Sequence, residues 1–188
     1  MIGTNGYFEK VSFEEFRKSA ANCQQLQSLC ENDAQFTKRM KDTYNNIKLP
    51  MRATKSSAGY DFYSPFNLLI QPGESVTFPT GIRCVMPESS VLICAPRSGS
   101  GFKYGVKLSN TICIVDADFY NPDQNCEGNI MIKLLNHDFD KDIIFHAGDG
   151  VVQGVILPFV SFPGYDGDQW SINGMQERVG GFGSTDRA

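Results

Sequence analysis

The sequence has no apolar run approaching the ~20 residues that cross a bilayer, and its start, MIGTNGYFEK, lacks the basic opening and apolar centre of a secretion signal. A cytoplasmic protein with no membrane partner is expected. Basic residues are not in excess: 17 Lys and Arg against 21 Asp and Glu leave a formal net charge of -4. That balance argues against a nonspecific polyanion binder, so nucleic acid is not an expected partner. None of the six cysteines forms a C-x-x-C pair, and neither His137 nor His146 has a second good ligand at short range, which argues against zinc. Reduced, mostly buried thiols are expected at Cys23, Cys30, Cys84, Cys94, Cys113 and Cys126. Internal repeats, long low-complexity tracts and βαβ alternation are also missing. A chain of 188 residues is long enough for one well-packed domain with appendages and too short for two ordinary ones.

What is present falls into three parts. Residues 12–47 read as helical. Ser12 with Glu15 makes a capping box, and Val11 with Phe16 fits the hydrophobic staple that sets how a chain enters a helix. Phe16, Ala20, Cys23, Leu26 and Cys30 recur at three- and four-residue steps, Asn32 and Asp33 break the pattern, and Phe36, Met40, Tyr44 and Ile47 resume it. From Pro50 the period changes to short Val-, Ile- and Phe-rich runs between Gly, Pro and Asn clusters, the pattern of an antiparallel all-β barrel or sandwich. After Phe159 the chain is rich in Gly, Asp and Ser and reads as a mobile C-terminal arm. The expected division is a helical extension over 1–47, a β domain over 48–160 and an arm over 161–188. No candidate site residue lies in 1–46, so loss of that stretch is expected to spare catalysis, with aggregation through the apolar surface it uncovers as the cost.

Five segments place polar residues or glycines where a β protein would normally put strand or simple turn. SAGYDF carries Asp61 after a small-residue turn. PRSGSG combines Arg97, the Ser98 hydroxyl and glycine-exposed backbone N–H groups, the makings of an anion cradle or of a plain loop. NTICIVDADF ends an apolar run on Asp116. AGDGVVQGVILPF interrupts a buried strand with Gln153, an amide that needs a partner. ERVGGFGST has the glycines of a phosphate loop but no Lys, preceding strand or following helix, so Walker A and Rossmann readings fail. An arginine and an aromatic on such an arm suggest a lid, with Arg178 meeting anionic charge and Phe182 covering a flat ring.

In this order, the segments resemble the five motifs of the trimeric dUTP diphosphatases, from about Ile47 to Thr185; IKLPMRATKSSAGYDF, PTGIRCVMP, APRSGSG, NTICIVDADF and GGFGST all fall at family spacing. The resemblance implies a distorted jelly-roll barrel assembled as a homotrimer with active sites at subunit interfaces. It implies Mg²⁺-dependent hydrolysis of dUTP to dUMP and pyrophosphate, which keeps uracil out of DNA and supplies dUMP for dTMP synthesis. By the same resemblance Asp116 is the general base for the water attacking the α-phosphorus, and Asp61 touches the metal through water. Arg97, Ser98 and Gly99 wall the phosphate chain, and Gln153 holds a phosphate or the catalytic water. Backbone groups around Asn110, Ile114, Val115 and Met131 read the uracil edge, Phe119 packs on the deoxyribose, and Arg178, Phe182 and Gly183 close over the substrate.

Several positions depart from the family pattern. Phe119 stands where a Tyr is usual, Gly150 replaces a common basic residue, the hairpin over 120–127 is longer, and ERVGGFG is one residue short. Two alternatives follow. One is dCTP deaminase, a relative of the same fold, which needs a glutamate on the strand NIMIKLLN, where this chain has Lys133. The other is a dUTPase scaffold with an added regulatory role, its N-terminal extension and longer hairpin serving as contact surfaces for a protein partner.

Overall fold

The computed structural model describes residues 6–28, 30–120, 126–160, 164–165 and 170–171. Strand β1 (Tyr7–Lys10) comes first, followed by helices α1 (Phe13–Ala20), α2 (Gln24–Gln27) and α3 (Asp33–Asn45). Strands β2 (Met51–Arg52), β3 (Tyr60–Tyr63), β4 (Leu68–Ile70), β5 (Ser75–Pro79), β6 (Ile82–Val85) and β7 (Ser90–Pro96) follow. Helix α4 (Ser98–Tyr104) precedes β8 (Val106–Leu108), β9 (Cys113–Asp116) and a 3₁₀ turn (Ala117–Phe119). The last strands are β10 (Met131–Asn136), β11 (Ile143–Phe145), β12 (Gly150–Pro158) and the backbone pair β13 (Gly164–Tyr165) and β14 (Trp170–Ser171). All described pairings are antiparallel, and the largest sheet runs β2-β3-β12-β7-β9, beside a three-stranded sheet β5-β10-β8. No helix among the described residues is long and apolar enough to cross a membrane.

Alternation along the strands sets the layers. On β7, Leu92 and Cys94 are fully buried while Val91, Ile93 and Ala95 face the other way, and β10 buries Ile132, Leu134 and Asn136. The N-terminal helices join the same core: Val11, Phe16, Ala20, Leu26, Phe36 and Met40 are buried in one cluster with Phe62, Phe78, Ile82 and Ile132. The Phe16 ring stacks on Phe66 at 5.7 Å between centroids. Lys10 Nζ donates to the carbonyls of Tyr44 at 2.9 Å and Asn45 at 3.3 Å, closing the C-terminal turn of α3.

Three local readings change. The segment before the helices is a strand, β1, paired with β6 from Tyr7↔Val85 to Lys10↔Ile82. Asn32 starts a helix as well as ending the previous pattern, its side chain accepting from the Gln35 N–H at 3.0 Å. Only half of the capping box forms. Ser12 Oγ accepts from the Glu15 N–H at 3.1 Å, but the buried Glu15 carboxylate accepts from Ser19 Oγ instead of returning to Ser12. All six cysteines are free thiols. Burial pushes the Cys84 thiol up to about 12.

Candidate active site

The sequence-selected residues gather in two places. The first is a pocket of about 200 Å³ lined by Asn110, Cys113, Ile114, Val115, Asp116, Phe119, Ile130 and Met131. A tight turn builds its mouth: the Ile112 N–H donates to Asn110 O at 2.7 Å and Thr111 is forced to φ 67°. Positive φ in a β-branched residue is a strained conformation, costing on the order of 1–3 kcal/mol. Phe119 and Ile130 supply an apolar floor, and Asp116 stands exposed at the rim, where it also borders a groove with Glu88, Asp118 and Tyr120. Cys113 sits opposite Cys94 in the β7/β9 register. Their hydrogen bond raises the Cys94 thiol and lowers that of Cys113.

The second is an open groove of about 600 Å³ whose lining includes Ser57, Gly59, Asp61, Arg97, Ser98 and Gln153. Here Asp61, Gln153 and Ala95 stand side by side across β3, β12 and β7. Gln153 packs on Gly59, where a Cβ would come within 2.9 Å of its Oε1. Arg97 Nε pairs with Asp61 Oδ1 at 3.0 Å, and its Nη1 donates to Gly150 O at 3.4 Å. A Cβ at Gly150 would lie 2.5 Å from Arg97 Nη1, so a side chain there would require the Arg97 side chain to shift. The arginine side chain occupies the space that a side chain at 150 would need.

PRSGSG, read as a cradle or loop, is the start of helix α4 with Arg97 as its N-cap. The first-turn N–H groups of Ser98, Gly99 and Ser100 have no intrahelical acceptor by construction, which suits a helix start to an anion. A Cβ at Gly99 would meet nothing within 4 Å, so this residue, next to the groove-lining Ser98, faces open space.

The fold does not bring these two places together within one chain. Asp116 faces Val91 at one end of β7, whereas Asp61 is aligned with Ala95 near the other end and lies two strands beyond β7. At ~3.3 Å per residue along a strand and ~4.8 Å between strands, the Asp61 and Asp116 positions are about 20 Å apart. Between them the sheet presents an outward face carrying Ile93, Val155, Leu157 and Ile114, the last 58% exposed. Arg178, Phe182 and Gly183 lie outside the described residues, which within the arm over 161–188 comprise the β13–β14 backbone pair alone. Cys113 and Ile130 were not singled out in the sequence. Cys113 lies within NTICIVDADF, and its own signal is alternation with the outward Ile114.

Comparison with known proteins gives one consistent picture. The family model described as dUTPase matches residues 45–186. The deoxyuridine 5'-triphosphate nucleotidohydrolase of Lactococcus lactis subsp. lactis (strain IL1403) is 36% identical over 139 residues, covering 74% of this chain and 88% of the relative. That of Clostridium tetani (strain Massachusetts / E88) is 33% identical over 151 residues, covering 80% and 97%. The crystal structure of dUTPase from Streptococcus mutans superposes with a TM-score of 0.55 at 37% identity, over 60% of this chain and 87% of that one. A mutant dUTPase from phage phi11 of S. aureus, described with a structural Mg(II) ion, shares the fold at a TM-score of 0.53 and 22% identity, over 62% of this chain and 86% of that one.

Proposed function

The chain belongs to the dUTPase family and hydrolyses dUTP to dUMP and pyrophosphate, and we propose that it does so at sites completed between copies of the chain, with Asp116 as general base. The observation that carries this reading is the separation of about 20 Å, by strand geometry, between the Asp116 pocket and the Asp61–Arg97–Gln153 groove. A nucleoside triphosphate bound across one site needs both. The apolar outward face of β9, β7 and β12 lies between them and is suited to packing on a second copy. A closed homotrimer then sets each chain's Asp116 pocket against a neighbour's groove, and the arm with Arg178, Phe182 and Gly183 closes over the substrate.

Within such a site the roles follow from chemistry. Uracil enters the pocket between Ile114, Val115 and Met131, where backbone donors and acceptors read its edge; Asn110 guards the mouth and Phe119 packs on the deoxyribose. A base of the wrong pattern would leave buried polar groups unpaired, which costs more than a missing contact. Arg97, the Ser98 hydroxyl and the first-turn N–H groups of α4 receive the phosphate chain, and the Gln153 amide holds a phosphate oxygen or the attacking water. Asp116 takes a proton from that water as its oxygen attacks the α-phosphorus, and pyrophosphate leaves.

Mg²⁺ fits this donor set. Among the described residues no group of three or more His, Cys, Asp or Glu forms a cage, and Asp61 is the carboxylate of the groove. One carboxylate suits an ion that keeps several waters and is held mainly by substrate phosphates, so Asp61 would hold it through water. The ion would supply charge neutralisation on the phosphates. A cytoplasmic location belongs to the same proposal, since a nucleoside triphosphate does not cross membranes unaided.

No observation favours the alternatives. Lys133 is exposed on β10, paired with Thr77, and lines a groove with Gln25 and Glu74 rather than the base pocket, and β10 carries no carboxylate to stand for a deaminase's glutamate. The N-terminal extension, offered with the longer hairpin as a partner surface, buries its Phe16, Ala20, Leu26, Phe36 and Met40 within the chain, and residues 121–125 of the hairpin lie outside the described residues. Pyrophosphate release measured side by side on dUTP, dCTP, dTTP and UTP, with and without Mg²⁺, is expected to be confined to dUTP and to need the metal. Turnover of dCTP or UTP at a comparable rate would overturn the assignment of the pocket.

A further inference from the structure

We propose that the N-terminal segment is a positioning element for the base pocket, acting through Ser12 and Glu9 on the two stems of chain that flank residues 121–125. The inference rests on the reading of that pocket as the uracil and deoxyribose site. One stem is Phe119–Tyr120 and the other runs from Cys126 to Met131; Phe119, Ile130 and Met131 line the pocket itself.

Both stems are tied to the segment that precedes α1. The carboxylate of Glu127 receives two hydrogen bonds from Ser12, from its N–H at 2.8 Å and from its Oγ at 2.5 Å. This is the half of the capping box that Glu15 leaves unfilled, supplied from 115 residues along the chain. Glu127 is held at φ 47°, a left-handed conformation that a glutamate does not adopt without compensation. On the other stem, Tyr120 OH donates to Glu9 Oε1 at 2.9 Å. Arg83 on β6 joins the two: Nε meets Glu9 at 2.9 Å, Nη1 lies 3.8 Å from Glu127, and the guanidinium sits 4.8 Å over the Tyr120 ring. The stems also touch, since a Cβ on Gly128 would come within 2.8 Å of Phe119 O. A strained backbone position gripped at its side chain, three residues before Ile130 of the pocket floor, is the arrangement expected of a support that holds a binding wall in one geometry.

The bound ground state and the transition state use this support alike, so losing it weakens nucleotide binding without slowing the chemical step. The test uses the full-length enzyme. Steady-state hydrolysis of dUTP and calorimetric binding of dUMP are measured for wild type, Glu127→Gln, Ser12→Asp, the double variant and Phe119→Ala. Ser12→Asp keeps a cap acceptor for α1 but faces Glu127 with like charge. Glu127→Gln keeps shape and removes the charge, and it decides alone if Ser12→Asp does not fold. Each single variant is expected to raise KM for dUTP and Kd for dUMP roughly tenfold, the worth of a charge-assisted contact, with kcat within about twofold of wild type. The double variant is expected to be little worse than either, because both act through one contact. A lowered melting temperature with wild-type KM and Kd would overturn the inference and leave the contact purely structural. Phe119→Ala separates the two levels. If it weakens dUMP binding while Glu127→Gln does not, the positioning role alone fails; if it leaves dUMP binding untouched, the pocket assignment fails and the inference with it.

Discussion

Asp116→Asn is expected to lower kcat for dUTP hydrolysis by roughly 10²–10⁴-fold, the usual worth of a positioned general base. Binding of dUMP and assembly of the oligomer should be retained. The substitution is isosteric, and Asp116 is exposed at the end of β9, its backbone paired with Val91, so no core packing is disturbed. An amide retains much of the hydrogen-bonding shape but does not accept the proton of the attacking water. Loss confined to kcat marks an interaction made in the transition state. If dUMP affinity fell in step with turnover, Asp116 would be a nucleotide-binding group and the base would have to be sought elsewhere.

A chain beginning at Ile47 is expected not to fold into a stable protein, a larger cost than the aggregation with spared catalysis expected from sequence. Val11, Phe16, Leu26, Phe36 and Met40 are buried in the core cluster, and burying a side chain of this kind contributes roughly 1.5–3 kcal/mol. Their sum is on the order of 10 kcal/mol, as large as the entire net stability of an ordinary domain. Removal would also uncover Phe66 and Ile82, strip β6 of its pairing with β1, and release Glu127 and Tyr120. Sedimentation and thermal unfolding of the truncated chain should show aggregation or no cooperative transition. A soluble truncation with wild-type melting and turnover would contradict the account of the N-terminal segment.

Much of the framework was legible because it is local. Strand alternation in SVLICAP and MIKLLN, the Ser12 cap and the Phe36–Met40 stripe each depend on neighbours a few residues away. Strand β1 was not legible, since Tyr7–Lys10 is short and two of its four residues are charged; its pairing partner lies some 75 positions away. Helix α4 was hidden by two glycines, which have poor helix propensity, and only the fold around Arg97 makes that turn helical. The grip of Glu127 on Ser12 joins residues 115 apart, and no periodicity encodes it. At the candidate site, residue types and order marked the chemistry. Sequence spacing said nothing of the distance across β7 that divides Asp116 from Asp61, because that distance is a property of strand register.

The account's central claim, that each site draws on two chains, is tested most directly by mixing two inactive variants. Asp116→Asn retains the groove and lacks the base, whereas Asp61→Asn retains the base and lacks the groove carboxylate. Co-refolded in equal amounts and allowed to assort at random around a closed ring, about one site in four should combine an intact Asp116 from one chain with an intact Asp61 from its neighbour. Hydrolysis of dUTP should therefore return to about a quarter of the wild-type rate per site, far above either parent. If mixed assemblies form, as shown by co-purification of differently tagged chains, and activity stays at the parental level, then Asp116 and Asp61 serve the same site from one chain and the shared-site account is wrong.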